Sequence, residues 1–211
     1  MKEESHKSEH IQKEYARLAS NYDQRWASYV LTTVYETIKR IDWKDVKALL
    51  DVGCGTGELL KTVHSQFPEI KLSGVDLSRE MLEVARQKLE ENINLQNSSS
   101  EELSFDSESF DVVVSCSAFH FFENPVRVLR EFQRVLKPKG KIVITDWCHD
   151  YLSCQVHDVF LHLFNRGHSR TYSVKEIKDI FKEAGLKNIK IDCYKINWLW
   201  GMMTVEAVRL I

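Results

Sequence analysis

The sequence has no long apolar run, and this absence argues against a membrane span. No stretch approaches the ~20 consecutive apolar residues that cross a bilayer. Residues 1–17, MKEESHKSEHIQKEYAR, are polar and charged where a signal peptide needs an apolar centre. We therefore expect neither export nor membrane insertion, and we expect the protein to be cytoplasmic.

A dense basic segment and an ordered set of cysteines are also missing. The chain has 29 basic and 31 acidic residues, a formal net charge of −2, so nucleic acid is not an expected partner. The cysteines are odd in number, scattered and without a CxxC pair, which favours a reducing compartment over a disulfide framework. We also expect no bound metal. The cysteines are Cys54, Cys116, Cys148, Cys154 and Cys193.

The remaining composition is that of one folded domain. Of the 211 residues, 43% are apolar and 28% are charged. Before residue 45, apolar residues recur at helical spacing and predict two helices, one through Ile11, Tyr15 and Leu18 and another through Val34 and Ile38. We expect residues 1–44 to form a helical lid region and residues 45–211 to form the main domain.

From residue 46 the pattern changes to short apolar runs separated by helical segments. The runs are VKALLDV, IKLSGVD, FDVVVSC and GKIVITDW, and the chain closes with NIKIDCYKI and MMTVEAVRLI, which have no helix between them. This pattern predicts an α/β fold: a doubly wound, seven-stranded, mostly parallel Rossmann-like sheet with an antiparallel last strand. Residues 149–170 predict a helical insert after the fifth strand. We expect this insert and the N-terminal helices to lie over the carboxyl ends of the strands.

A glycine-rich loop follows the first strand of the predicted sheet. In LLDVGCGTGELL, Gly53, Gly55 and Gly57 stand where a buried strand turns into a helix. Glycine tolerates positive φ and lets a ligand approach the main chain, and the helix N-terminus adds free N–H groups. Asp76 ends the next strand, beside this loop, where a carboxylate can accept hydrogen bonds from both hydroxyls of a ribose. The combination predicts a nucleoside site rather than a structural turn.

The spacing of the loop distinguishes between nucleoside ligands. A dinucleotide fingerprint is G-x-G-x-x-G, whereas here Glu58 occupies the position of the third glycine. Asp51 adds negative charge where a pyrophosphate would lie. A cationic ligand is therefore favoured over a dinucleotide, and a nicotinamide oxidoreductase is the less favoured alternative.

Four ordered motifs resemble those of a known family. DVGCGTG, GVDLS, SFDVVVS and VLKPKGKIVITDW resemble the class I S-adenosylmethionine-dependent methyltransferases, most closely the small-molecule branch that includes the ubiquinone and menaquinone C-methyltransferases and the arsenite methyltransferases. The resemblance is strong over residues 45–147. It implies S-adenosylmethionine as the cofactor, S-adenosylhomocysteine as the product and a small-molecule acceptor.

The resemblance also implies roles for individual residues. Asp51 and the glycine loop would line the methionine part, Asp76 would hold the ribose, and Leu77 and Met81 would flank the adenine. Ser99 stands where the family often has an aspartate. The N-terminal AxxYD pattern ends at Asp23, and Tyr22 within it would cover the cofactor. The full set of implied cofactor residues is Tyr22, Asp51, Gly53, Cys54, Gly55, Gly57, Asp76, Leu77, Met81, Ser99, Ser100 and Ser115.

Candidates for the chemistry are fewer. Methyl transfer is an in-line displacement that depends mainly on alignment, and a base is needed only when the acceptor must lose a proton. His120 and His149, after the fourth and fifth strands, are the candidate bases, with a structural role as the alternative for each. A partly aromatic acceptor is favoured by six residues near these strand ends. They are Phe119, Phe121, Phe122, Trp147, Tyr151 and Tyr172.

Three further patterns have simpler interpretations. Cys148 and Cys154 could converge on arsenic, but buried cysteines are usually small apolar residues. Trp198 and Trp200 belong either to the acceptor pocket or to the core. The three histidines of the insert lack the i, i+4 spacing of helical metal ligands, so a polar helix face is the favoured interpretation. These histidines are His157, His162 and His168. A cofactor-binding module without catalysis, acting as an assembly partner, remains the second functional hypothesis.

Overall fold

The fold is built on a seven-stranded sheet. In the computed structural model, the structure describes residues 17–19, 22–156, 158 and 171–210. Their strands lie in the order β3-β2-β1-β4-β5-β7-β6. The strands are β1 (Ala48–Val52), β2 (Lys71–Asp76), β3 (Asn94–Asn97), β4 (Phe110–Cys116), β5 (Leu136–Trp147), β6 (Lys187–Lys195) and β7 (Gly201–Val208).

Helices follow most of the strands and cover both faces of the sheet. They are α1 (Tyr22–Ile38), α2 (Glu58–Gln66), α3 (Arg79–Lys88), α4 (Pro125–Val135) and α5 (Val174–Glu183), with a 3-10 turn at Phe119–Phe121. Helix starts follow local capping chemistry: Ser78 caps α3, Asn124 with Pro125 begins α4, and Ser173 forms a capping box with Glu176 at α5. Among the residues described, no helix is long and apolar enough to cross a membrane.

The core consists of two apolar layers on opposite faces of the sheet. One contains the buried faces of α4 and α5, including Phe132 and Phe181, and the other contains those of α1 and α2, including Leu60 and Val63. All residues of β1 are buried because the strand is covered on both faces and paired on both edges. The start of the glycine loop is therefore held in a rigid position.

The predicted sheet is confirmed, including its antiparallel end. β7 pairs antiparallel with both β5 and β6, so the last strand of the chain lies between two earlier strands. The strands from β3 to β5 are parallel, which brings the carboxyl ends of β1, β2, β3 and β4 to one edge of the sheet. The ligand crevice of a doubly wound sheet lies at this edge.

The predicted helical additions are described only in part. The second N-terminal helix is α1, and Val34 and Ile38 are buried on its inner face as its spacing predicts. Ile11 and Tyr15 of the first predicted helix lie outside the described residues. In the insert, residues 152–156 are helical. The remainder of the predicted insert helix and the histidines at 157, 162 and 168 also lie outside the described residues.

Candidate functional site

A cavity lies at the carboxyl ends of the parallel strands. Its lining follows the strand order, from residues 98–101 after β3, through 75–78 at the end of β2 and 51–56 at the end of β1, to 116–118 at the end of β4. α1 covers the cavity and contributes Tyr22, Tyr29, Val30, Thr33 and Val34 to its lining. One helix and four strand ends therefore enclose a single space.

The three glycines of the loop are needed for different structural reasons. All have positive φ, of 78° at Gly53, 53° at Gly55 and 80° at Gly57. A Cβ atom on Gly53 would lie 2.4 Å from the Cβ of Ala118, and one on Gly57 would lie 2.7 Å from Leu89 of the α3 cap. A Cβ atom on Gly55 would meet nothing within 4 Å. Gly53 and Gly57 thus permit close packing, whereas Gly55 leaves space on the cavity side of the loop.

Hydrogen bonds to β2 fix the loop. The N–H groups of Gly53 and Cys54 both donate to the Val75 carbonyl, over 2.8 and 3.0 Å, and the Gly55 N–H donates to Asp76 Oδ2 over 2.8 Å. α2 begins directly afterwards, with Gly57 as its N-cap and no side chain capping it. The first N–H groups of α2 therefore stay available beside the cavity.

Asp51 is a buried carboxyl group beside the glycine loop. Its residue is 2% exposed, it lines the cavity, and its Oδ1 atom has no hydrogen-bond partner among the described residues. Burial, with a smaller contribution from the negative charge of Asp76, raises the pKa of Asp51 to about 8. A buried acceptor without a donor is costly, so this oxygen is matched to a ligand that donates a hydrogen bond or carries positive charge.

Asp76 faces the same cavity from the end of β2. Oδ1 accepts a hydrogen bond from the Ser78 N–H over 2.8 Å, as Oδ2 does from Gly55, and burial raises the pKa of the carboxyl group despite these donors. Asn97 donates to the main-chain carbonyls of Asp76 and Leu77, which holds the strand end in place. Each carboxylate oxygen has lone-pair capacity for a further donor, so two ligand hydroxyls can bind here.

Side-chain contacts tie α1 to the strand ends. Asp23, in its first turn, accepts hydrogen bonds from Thr56 Oγ1 over 2.6 Å and from Lys88 Nζ over 2.5 Å. Further along α1, the Tyr29 hydroxyl shares a 2.9 Å hydrogen bond with Ser117 Oγ and accepts another from Trp147 Nε1 over 2.6 Å. α1 is thus joined to the glycine loop, to α3 and to the ends of β4 and β5.

Most of the residues implied for the cofactor line this cavity. Ten of the twelve do so, and the exceptions are Gly57 and Ser115. Gly57 packs against α3, as its neighbours show. Ser115 is fully buried and lies on the opposite face of β4 from Cys116, because side chains alternate along a strand. The strand end presents Cys116 and Ser117 to the cavity in place of Ser115.

The first candidate base, His120, lies beside the cavity but is not part of its lining. Its ring is 3% exposed, and Nδ1 is 2.8 Å from Asp146 Oδ1. The same carboxylate accepts the His120 main-chain N–H over 2.9 Å, and the ring stacks on Trp147 with centroids 4.9 Å apart. This buried hydrogen-bonded pair positions the turn after β4.

The second candidate base, His149, and the free cysteines Cys148 and Cys154 also lie away from the cavity. His149 Nδ1 shares a 2.8 Å hydrogen bond with Thr171 Oγ1, and its side chain is 37% exposed. Cys148 and Cys154 are buried, and Cys154 Sγ donates to the Gly201 carbonyl over 3.3 Å. None of these side chains lines the cavity, so the structure does not bring them together with the nucleoside site.

Of the six aromatic residues predicted for the acceptor pocket, two line the cavity. These are Phe121 and Phe122. Phe119 and Tyr172 are core residues with ring centroids 5.9 Å apart. Trp147 donates a hydrogen bond to the Tyr29 hydroxyl, and Tyr151 packs on Gly201. The two tryptophans predicted for either the acceptor pocket or the core differ in their burial. Trp200 is buried and stacks on Trp147, whereas Trp198 is 84% exposed.

Comparison with known proteins identifies the domain that carries this cavity. Residues 50–144 match the profile of a family described as a methyltransferase domain. The matched span begins at the strand before the glycine loop and ends in β5. Residues 50–144 therefore form a methyltransferase domain.

Curated relatives of this methyltransferase domain act on different molecules. One is a malonyl-[acyl-carrier protein] O-methyltransferase from Halalkalibacterium halodurans, 30% identical over 161 residues, which cover 71% of this chain and 59% of that protein. Another is a demethylmenaquinone methyltransferase from Thermotoga maritima, 30% identical over 129 residues, which cover 61% of this chain and 53% of that protein. The chain thus spans little more than half the length of these relatives. The predicted resemblance to quinone methyltransferases is confirmed.

Solved structures of other proteins share the fold of this chain. A chain of the complex between the Haloferax volcanii Trm112 methyltransferase activator and a methyltransferase superposes with a TM-score of 0.80 at 21% identity, covering 94% of this chain and 98% of that one. Phosphoethanolamine N-methyltransferase 2 of Haemonchus contortus, in complex with S-adenosyl-L-methionine, superposes with a TM-score of 0.70 at 20% identity, covering 84% and 52%. At these identities the likeness concerns the fold.

Sequence reasoning missed the α1 side of the methyltransferase cavity. Tyr29 and Thr33 line it together with Tyr22, at spacings of seven and four residues that place them on one helical face. This spacing is a signal that could have found them. Ser117, which shares a hydrogen bond with Tyr29, could not have been found in this way because the two residues are 88 positions apart.

Proposed function

We propose that the protein is an S-adenosylmethionine-dependent methyltransferase that transfers a methyl group to a small-molecule acceptor. The observation that carries the proposal is the unpartnered Oδ1 of Asp51, which faces a cavity built on a glycine loop and Asp76. A sulfonium nucleoside combines a ribose diol with positive charge, so it matches both carboxyl groups. A dinucleotide would instead place a pyrophosphate beside Asp51, whose carboxyl group would then have to stay protonated, so the site offers this ligand no charge attraction.

The residues of the methyltransferase domain fit this cofactor in three parts. Asp76 would accept the ribose hydroxyls, and Leu77, Met81 and the serine segment 98–100 would surround the adenine. Asp51 and the main chain at Gly53 and Gly55 would line the methionine part. When bound, S-adenosylmethionine supplies an electrophilic methyl group on a positively charged sulfur.

The protein's own contribution to the reaction would be alignment and exclusion of water. β1 and β4 are buried and rigid, so the loop and the β4 end hold their relative positions. α1, joined to Thr56 through Asp23 and to Ser117 through Tyr29, would act as the lid over the cavity. We include the rest of residues 1–44 in the proposed lid region.

Calorimetric titration tests the cofactor assignment. We expect binding of S-adenosylmethionine and S-adenosylhomocysteine and none of NAD. Asp76→Ala should weaken S-adenosylhomocysteine binding at least about 30-fold, since two hydrogen bonds to a carboxylate are lost. Asp42→Ala is the matched control, because Asp42 pairs with Lys141 outside the cavity. Equal affinities for the two variants would contradict the proposal.

A binding module without catalysis is the second candidate, because neither predicted base lines the cavity. The Haloferax volcanii structure contains an activator protein, so an assembly partner is the corresponding proposal for this chain. Incubation with S-adenosylmethionine and a metabolite extract separates the candidates. Release of S-adenosylhomocysteine above the level without extract supports catalysis, and binding without release supports the module.

A further inference from the structure

The cavity has a second end that the cofactor would leave free. The lining runs from β3 to β4, and the residues assigned to the nucleoside follow β3, β2 and β1. The methyl acceptor must therefore approach over the end of β4, under α1. That end is formed by Tyr29, Val30, Thr33, Val34, Cys116, Ser117, Phe121, Phe122 and Glu123.

The side chains at the β4 end carry no positive charge. Tyr29 is half-buried, and burial raises the pKa of its phenol well above the ordinary value, so the hydroxyl that hydrogen-bonds to Ser117 is neutral. Burial also raises the pKa of the Cys116 thiol to about 12. The walls between these groups are apolar or aromatic. An anion entering this end would lose its hydration without gaining a cationic side-chain partner, and only the sulfonium of the bound cofactor would offset this cost.

The charged side chains that line the cavity, among the described residues, are all carboxyl groups. Five carboxyl groups belong to the lining, and no lysine, arginine or histidine among the described residues does. They are Asp51, Glu58, Asp76, Glu101 and Glu123. Within the described part of the chain, Glu58 lies 3.5 Å from Lys88 and Glu101 lies 3.5 Å from Arg127, so these two carboxylates are paired with basic side chains. The field inside the cavity therefore favours cations over anions.

Resting on the proposed function, we propose that the methyl acceptor is a small amine, held at the β4 end between α1 and the Phe121–Phe122 turn. A carboxylate or phenolate acceptor is disfavoured because it would bring negative charge to this end. An ammonium ion drawn to this cavity must first release one proton to water, because only the free-base nitrogen carries the lone pair that attacks. The free base needs no side-chain base during transfer, which agrees with the positions of His120 and His149 outside the lining.

The charge balance of N-methylation suits an acid-lined cavity. The nitrogen lone pair forms the new N–C bond, and the electron pair of the broken S–C bond remains on sulfur. One positive charge is present before transfer, on sulfur, and one afterwards, on the ammonium nitrogen. The carboxyl groups are thus matched to a cation throughout, whereas methylation of an anion would remove the charge they stabilise.

Binding to the protein loaded with S-adenosylhomocysteine tests this inference without turnover. The probes are phenethylamine, 2-phenylethanol and 3-phenylpropionate, and the aliphatic set butylamine, 1-butanol and pentanoate, titrated by calorimetry. We expect an amine to bind at least about tenfold more tightly than the acid of its set. An acid that binds as tightly as its amine, or the failure of both amines to bind loaded protein, would overturn the inference. Failure of S-adenosylhomocysteine itself to bind would instead overturn the proposed function.

A charge-reversal pair tests the location. Glu123→Lys places an ammonium at the mouth of the β4 end, and Glu102→Lys makes the same change at an exposed position outside the lining. We expect the first variant to lower amine affinity at least about fivefold and to narrow the gap between amine and acid, with the second unchanged. Equal effects of the two variants would overturn the assignment of the amine to this end. S-adenosylhomocysteine affinity, measured on both, reports whether the cofactor site is intact.

Discussion

The buried carboxyl group of Asp51 makes a quantitative prediction about cofactor binding and pH. In the ligand-free protein its pKa is raised to about 8, chiefly by burial. A bound cation stabilises the carboxylate form, so below pH 8 the group must lose a proton when the cofactor binds. Affinity for S-adenosylmethionine should therefore rise with pH.

The magnitude follows from the titration curve of a single group. With a pKa of about 8, roughly 0.3% of the groups are ionised at pH 5.5 and roughly 9% at pH 7.0. If binding requires the ionised form, the association constant rises about 30-fold over this interval, or ~2 kcal/mol. The interval stays below the range near ~7.7 in which an α-amino group of the ligand begins to lose its own proton.

Calorimetry in buffers of different ionisation enthalpy measures both the affinity and the protons released. We expect close to one proton released per site and an affinity that increases nearly tenfold per pH unit. Asp51→Asn should flatten the profile, whereas Asp42→Asn, which changes an exposed carboxyl group outside the cavity, should leave it intact. An unchanged slope in Asp51→Asn, or an affinity that falls with pH, would refute the reasoning.

The same group predicts how the stability of the ligand-free protein depends on pH. The folded-state pKa of Asp51 lies above its ordinary value of 3.8, so between about pH 4 and 8 the folded protein holds a proton that the unfolded chain releases. The free energy of unfolding should therefore decrease as pH rises through this window. Asp51→Asn removes this dependence, and thermal denaturation should show its advantage over the wild type increasing towards pH 8.

Two further predictions concern the loop and the turn after β4. Gly53→Ala should lower Tm, since its Cβ would clash with Ala118 at a cost of about 1–3 kcal/mol. Gly55→Ala should chiefly weaken cofactor binding, measured by calorimetry. A larger loss of Tm in Gly55→Ala, or a larger loss of cofactor affinity in Gly53→Ala, would contradict the assigned roles. His120→Ala should destabilise the fold by about 1–3 kcal/mol, because Asp146 loses one buried hydrogen-bond partner and keeps the main-chain donors of residues 120 and 147, without changing S-adenosylhomocysteine affinity. A stable variant with impaired binding would place His120 in the binding site.

The half of the cavity that the sequence predicts depends on local geometry. Asp51, the glycines and Asp76 each end a strand or begin a helix, and parallel pairing of β1 with β2 brings them together in any sheet of this order. Apolar periodicity, turn residues and caps were enough to find these elements. The antiparallel end was predicted for the same reason, because two strands without a helix between them cannot be parallel neighbours.

The half that could not be predicted depends on pairings between distant residues. His120 was predicted as a candidate base, but its ring pairs with Asp146, 26 positions away, and does not line the cavity. Ser115 was expected at the cavity, and the pleat of β4 places Cys116 there instead. No local pattern shows that β7 lies between β5 and β6, since the order of neighbouring strands is a property of the whole sheet.

The cavity has one end assigned to the cofactor and another assigned to the acceptor, and this explains why the family match does not identify the acceptor. The matched residues, 50–144, contain the glycine loop and Asp76, the part of the cavity that we propose holds the cofactor. Tyr29 and Thr33, on α1, lie before that span and face the opposite end of the cavity. Relatives that share the matched span carry names for acceptors as different as a carrier-bound malonyl group and a quinone. The choice of acceptor should therefore follow the face of α1, so exchanging its cavity-lining residues should change acceptor binding while leaving cofactor affinity near its original value.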